Sequence, residues 1–397
     1  MWRNRNVWIL LLGEGIAGLG MWVGIIGNLE FLQQHVPSDF MKSLILFAGL
    51  FVGVLFGPYA GKVIDRSSKK TVMIVSSVAR SMSVMFMFVA ISTGQVWWMV
   101  MYMLGIGISA AFYFPALQAA IPLIAKEEEL LTLNGWHMNI GTIARIVGTA
   151  LGGVLIIAIP LSTVYIITLG SFLFVALTSF LLQLPNDQNR SYKQEKQESF
   201  TVLWPLIKKN RPVFTGLVLM LVPIGFIGSF NLMVLKISEM LQDPAIKGWL
   251  YTTEGVMFML GAFMIRRVAV KLPHLSLLIG AAFFISLAQM SLYFAEYHPM
   301  AIVSFGVFGF AAGSFFPIAA TLFQKSVPKD YHGRFFSFRN MMDRILFQFV
   351  LVSSGFFLDT IGFQIMVLLF GVSSFFLTCI VLGKHVKKVD KNLPQTM

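Results

Sequence analysis

Glu14, Arg145 and Glu254 are charged or ionisable side chains set deep inside long apolar runs of this chain, and the chemistry open to the two carboxyls is proton binding and release, with Arg145 a cation that can shift it. Glu14 lies about two turns into the first run, Arg145 near the middle of the fifth, and Glu254 about two turns into the eighth. A charge at the centre of a bilayer costs about 2.5–3.5 kcal/mol on insertion scales, so such residues normally face a protein interior. A desolvated carboxyl holds its proton, and a nearby guanidinium drives it off. A carboxyl carried between those two surroundings would couple proton movement to a conformational change, whereas a static Glu–Arg pair would only join helices. Trp22, Tyr113 and His137 complete the candidate set, His137 as a polar or packing contact, with Trp136, Tyr251 and Phe226 as further aromatics. Arg80, Asp343 and Arg344 lie nearer one end of their runs. Glu30, Lys236 and Glu239 lie at the other boundary, where long side chains reach water and read as ordinary interfacial charges.

Twelve apolar stretches carry these residues, at roughly 7–31, 43–64, 71–92, 96–121, 134–159, 164–184, 212–236, 248–270, 275–295, 300–323, 335–358 and 363–382. About twenty apolar residues cross a bilayer as a helix, because lipid offers backbone polar groups no partner. The segments between them alternate in charge. One set holds Arg3, Arg5, Lys62, Arg66, Lys69, Lys70, Lys126, Arg266, Arg267, Lys271, Lys325, Lys329 and Arg334, while the other offers little beyond Lys42 and Lys247. The positive-inside rule then expects both termini and the central linker in the cytoplasm of a multi-pass cell-membrane protein, which requires an even number of spans.

Composition narrows the class. At 57% hydrophobic and 12% charged residues, the chain is not a soluble globule. The net charge of +12 sits in short membrane-flanking loops, where topology and anionic lipid headgroups account for it, so no nucleic-acid partner is expected. A single cysteine, Cys379, excludes a disulfide framework and a Cys-based metal site. There is no Walker-type glycine loop, no tight cluster for intramembrane catalysis, and no expected metal or cofactor. The first apolar run is too long for a cleavable signal and is expected to stay as an anchor.

The polar stretch 185–211 divides the chain into an N-terminal half, 1–184, and a C-terminal half, 212–384, followed by a tail, 385–397. The halves echo each other. Gly61 and Arg66 recur as Gly261 and Arg266, Phe114-Pro115 as Phe316-Pro317, and Arg145-Ile146 as Arg344-Ile345. All three features are offset by about 200 residues, the mark of parallel six-helix repeats that rock about a site between them. The expected fold is all-α, with twelve transmembrane helices in two pseudo-symmetric six-helix halves.

The loop GPYAGKVIDRSSKK, with Gly61, Asp65, Arg66, Lys69 and Lys70, resembles the signature of the major facilitator superfamily, although Ser68 stands where a glycine is usual. That resemblance implies a cytoplasmic gate in which Asp65 meets a helix N-terminus near Arg334 and Arg339, with Asp343 and Arg344 as a further gate pair, either Arg344–Asp343 or Arg339–Asp343. Gly135, Ala144 and the run GTALGG, with Gly148, Gly152 and Gly153, resemble the antiporter motif of drug-efflux members, whose small residues let helices approach closely. Together with FPALQAAIP at 114–122 and SVPKDYHGRFFSF at 326–338, these blocks resemble the drug:proton antiporter-3 branch, which includes macrolide and siderophore exporters. Departures bear on coupling: Met21 follows Gly20 where many members carry an acid, and Ser77 stands three residues before Arg80 where many carry Asp. The resemblance implies a monomeric secondary transporter that exports amphipathic small molecules or drugs in exchange for protons and contacts membrane lipids. The alternatives are a lipid or lysophospholipid translocase of the same fold without proton coupling, and a non-transporting scaffold or intramembrane enzyme.

Overall fold

The computed structural model describes residues 2–184, 203–328 and 331–392; within its helices a few side chains, those of Asp65 and Arg334 among them, lie outside that description. The described chain is helical throughout: α1 (Arg5–His35), α2 (Asp39–Arg66), α3 (Lys69–Thr93), α4 (Val96–Ile124), α5 (Leu130–Ala158) and α6 (Leu161–Leu181) come first. A short α7 (Leu203–Lys209) lies in the stretch expected to be linker. Then follow α8 (Arg211–Leu219), α9 (Leu221–Leu241), α10 (Ile246–Val268), α11 (His274–Ser291), α12 (His298–Ser326), α13 (His332–Thr360) and α14 (Phe363–Asn392), the last running into the expected tail.

Local chemistry sets the ends. The Asn4 side chain accepts from the Asn6 backbone N–H to start α1, and Ser38 accepts from Met41 to start α2. Gly94, at φ +70°, closes α3 in the left-handed conformation that a side chain disfavours. The seventh expected span is two helices, α8 and α9, meeting at Met220, because Pro223 lacks the N–H that the Leu219 carbonyl would accept. Eleven described segments are long and apolar enough to cross a membrane. The remaining expected span is α10, a 23-residue helix whose first half carries Lys247, Tyr251, Thr252, Thr253 and Glu254.

The chain divides into two compact units, Met1–Glu195 with Gln242–Thr252, and Lys196–Leu241 with Thr253–Met397. One division falls inside α10, whose first turns belong to the first unit. Within that unit α1 packs on α5 and α6, α3 on α4 and α6, and α2 on α4. Small residues make the approaches close: a Cβ on Gly20 would strike Ser171, one on Gly105 would strike Ser83, and one on Gly107 would strike the Gly49 carbonyl. The second unit repeats the scheme at the matching helices. There α9 packs on α13 and α11 on α12 and α14, with Gly228 against Val350 and Gly371 against Met290. Its centre is an aromatic stack in which Phe226 lies on Phe308 at 3.7 Å between ring centroids and edge-on to Phe305.

Candidate functional site

Register between α1 and α5 decides which candidates meet. The helices run the same way: Gly15 faces Ile140, Gly18 faces Ala144, Gly148 faces Leu19 and Trp22, and Gly152 faces Val23 and Ile26. Glu14 therefore comes level with His137 and sits about two turns from Arg145 along the helix axis. The Tyr113 hydroxyl, carried by α4, donates to Glu14 Oε1 at 2.5 Å, and His137 Nε2 stands 3.6 Å from Oε2. Burial rises along this row. The His137 side chain is 26% exposed and that of Glu14 13%, while Tyr113 is 2% exposed.

Behind Tyr113 lies Arg80 of α3, which the sequence placed near a membrane boundary and which the fold buries at 4% exposure. Its guanidinium lies over the rings of Tyr113, Phe172 and Phe114 at 4.9, 5.4 and 5.6 Å. Its Nε donates to Ser109 Oγ at 3.3 Å, and Ser109 in turn donates to the Ser76 carbonyl at 2.7 Å. Ring faces and hydroxyls hold this cation, an arrangement favoured by the weak hydration and planarity of guanidinium. Chemically, His137 and Glu14 are the ionisable groups of this row, Tyr113 is a directed donor to Glu14, and Arg80 is a positive charge behind them.

Arg145 lies further along α5. Glu14 is bonded by Tyr113 and faced by His137, whereas the Arg145 guanidinium lies 6.0 Å from the Trp22 ring centroid. Trp22 also meets Tyr251, on the head of α10, edge-on at 6.2 Å. Trp22, Arg145 and Tyr251 thus make a second group, which joins a cation to two amphipathic rings. Glu254 is buried at 5% exposure within the second unit, where its carbonyl borders Gly309 of α12. Of the other aromatics, Phe226 is buried in the stack described above, and Trp136 is largely exposed beside Trp2.

The expected gate and packing residues fall as follows. Gly61 has no neighbour that an added Cβ would meet, Arg66 is exposed, and the Lys70 ammonium stands 5.4 Å from the Phe180 ring centroid. Of the two pairings considered for Asp343, the structure has Arg339–Asp343, Nε to Oδ2 at 3.4 Å, with Arg344 exposed. The side chains of Asp65 and Arg334 lie outside the described residues. In the α5 motif, Gly148, Gly152 and Gly153 each abut another helix, while Gly135 faces open space.

Sequence reasoning missed two groups. One is the Arg80 seat, signalled by the serines at 76, 77, 81 and 83, which mark the buried side of α3. The other is a buried polar knot in which Tyr165 donates to Asn28 Oδ1 at 2.5 Å and stacks edge-on with Tyr102.

Comparison with known proteins completes the picture. The family model of the Major Facilitator Superfamily matches residues 10–242 and 224–396. The chain is 27% identical over 360 residues to the uncharacterized MFS-type transporter YfiS of Bacillus subtilis (strain 168), covering 85% of this chain and 83% of that protein. It is 26% identical over 363 residues to macrolide efflux protein A of Streptococcus pyogenes, covering 84% of each. Among solved structures, a bacterial homologue of the iron transporter ferroportin, in its inward-facing state, superposes with a TM-score of 0.76 at 15% identity, over 96% of this chain and 98% of the other. With the matches spanning nearly all of a helical, multiply membrane-spanning chain built from two similar units, this protein belongs to the Major Facilitator Superfamily, whose members are transporters and not enzymes.

Proposed function

We propose that the chain exports amphipathic small molecules, macrolides among them, by alternating access and in exchange for protons, as a monomer in the cell membrane with both termini cytoplasmic. The observation that carries the proton half is the Tyr113–Glu14–His137 row, a carboxyl held between a directed donor and an imidazole. Exchange requires one group whose charged and neutral forms are favoured in different conformations, and Glu14 is so placed: moving α4 against α1 would remove its donor. The substrate half rests on likeness to macrolide efflux protein A and on the Trp22–Arg145–Tyr251 group, whose rings and cation suit an amphipathic ligand with polar substituents.

Proteoliposomes with an imposed pH difference test both halves, with the macrolide erythromycin as substrate. The wild-type chain is expected to accumulate it against its gradient and to lose the accumulation when an ionophore collapses the pH difference. Glu14→Gln is expected to retain downhill exchange and lose uphill accumulation. Wild-type accumulation in a Glu14→Gln/Glu254→Gln double variant removes both acids as carriers. Translocation of a lysophospholipid at a rate indifferent to the pH difference, with no erythromycin transport, replaces this reading with that of a lipid translocase.

A further inference from the structure

Glu30 and Lys247, both at ends of helices and 217 residues apart in the chain, form an ion pair at 2.7 Å. The Lys247 side chain is 0% exposed and that of Glu30 12%. Both carboxylate oxygens of Glu30 are engaged, since Gln34 Nε2 donates to Oε1 at 2.7 Å while Lys247 donates to Oε2. Beside them the buried Lys42 pairs with Asp39 at 2.7 Å. The interfacial reading of Glu30 therefore gives way to a buried charge pair. A lysine this deep normally retains its charge only against a hydrogen-bonded acid, and removing one partner of such a pair is far more damaging than never having built it.

What Lys247 anchors is the head of α10. One residue on, Gly248 lies against Gly153 and the Thr149 carbonyl of α5, so closely that a Cβ on Gly248 would be 2.8 Å from each. One turn on, Tyr251 meets Trp22 of α1. These three contacts stand on one side of α10, at successive positions of its first turns, and all lie within the first compact unit. We infer that the Glu30–Lys247 pair is a clasp that seats the head of α10 on α1 and α5, making Glu30 and Lys247 positioning residues for Tyr251 in the substrate site. The clasp itself stands on the geometry; its bearing on substrate rests on the reading of the Trp22 group given above.

The test separates the two. In the full-length chain, solubilised in detergent and with Cys379→Ser as background, Ile246→Cys places a thiol at a head position that is 1% exposed and carries none of the three contacts. Labelling by a soluble maleimide is expected to be slow. Glu30→Gln and Lys247→Glu each leave a buried charge without its partner, and each is expected to speed labelling about tenfold or more. The exchanged pair Glu30→Lys/Lys247→Glu is expected to slow it again. Unchanged labelling in both single variants overturns the clasp. So does a double variant that melts like the parent yet labels as fast as the singles. Erythromycin affinity, measured without the Ile246→Cys change, then tests positioning. The dissociation constant is expected to rise about tenfold in each single variant and to recover in the exchanged pair. Faster labelling with unaltered affinity overturns the positioning role, and a parent chain that binds no erythromycin overturns the macrolide reading while labelling still decides the clasp.

Discussion

Tyr113→Phe is the sharpest perturbation of the proposed coupling site, because it deletes one oxygen and leaves the ring over which Arg80 lies at 4.9 Å. The lost interaction is the 2.5 Å donation to Glu14 Oε1. A hydrogen bond to a charged group contributes about 1.5–3 kcal/mol, and about 1.4 kcal/mol is a factor of ten in an equilibrium. The Glu14 side chain is 13% exposed, so water can replace part of the donation, and the lower end of that range applies. The balance between the conformation that holds Glu14 on α4 and one that releases it should therefore move about tenfold. Proteoliposomes with and without an imposed pH difference read that shift. The uphill accumulation ratio is expected to fall about tenfold, while downhill exchange stays within about twofold of the parent. Tyr113→Ala, which opens a cavity under Arg80 as well, should in addition lower thermal stability by about 3–5 kcal/mol, the cost of deleting a buried ring. Parental uphill accumulation in Tyr113→Phe would refute the reasoning. An equal fall in uphill and downhill transport would refute it too, by making the hydroxyl a helix-joining group.

Other variants probe the scaffold around that site. Gly148→Ala puts a Cβ 2.8 Å from the Leu19 carbonyl oxygen and 2.9 Å from Trp22 Cβ, so overpacking of about 1–3 kcal/mol should lower the melting temperature in detergent. Gly135→Ala meets nothing within 4 Å and should be neutral or more stable by about 0.5–1 kcal/mol from helix propensity, in the same assay. Arg80→Lys keeps the charge but loses the planar stack and the Nε bond to Ser109, so it should melt earlier and transport poorly, with Arg80→Gln no better.

Much of the architecture was legible because lipid imposes a one-dimensional rule. A backbone that crosses hydrocarbon must be helical and its side chains apolar, so span positions, the repeat and the family motifs all follow from local sequence. Where polarity blurred that rule, legibility fell with it: α10, with Lys247, Glu254 and three hydroxyl-bearing residues in its first half, is the span whose apolar signal is weakest. The polar stretch after Pro185 gave no hint of α7, seven residues whose helicity has little periodicity to reveal it.

The sequence by itself determined how deep each ionisable residue lies, since depth is a count of residues along a helix at a fixed rise. It did not determine which face each residue takes or what it meets. Arg80 gave no sign in sequence of the face it takes and is buried in fact, because α3 turns its serine side and that arginine toward α4 and α6. Glu14 meets Tyr113 from 99 residues away, and Arg145 stands about two turns from Glu14 along the axis, because glycines along α1 and α5 fix the register in which those helices close. Glu30 looked like an interfacial charge and Lys247 like a loop cation, and only the docking of the head of α10 made them an ion pair. Hydrophobicity is a property that each residue carries alone, whereas a hydrogen bond or an ion pair belongs to two residues and exists only once packing has brought them together.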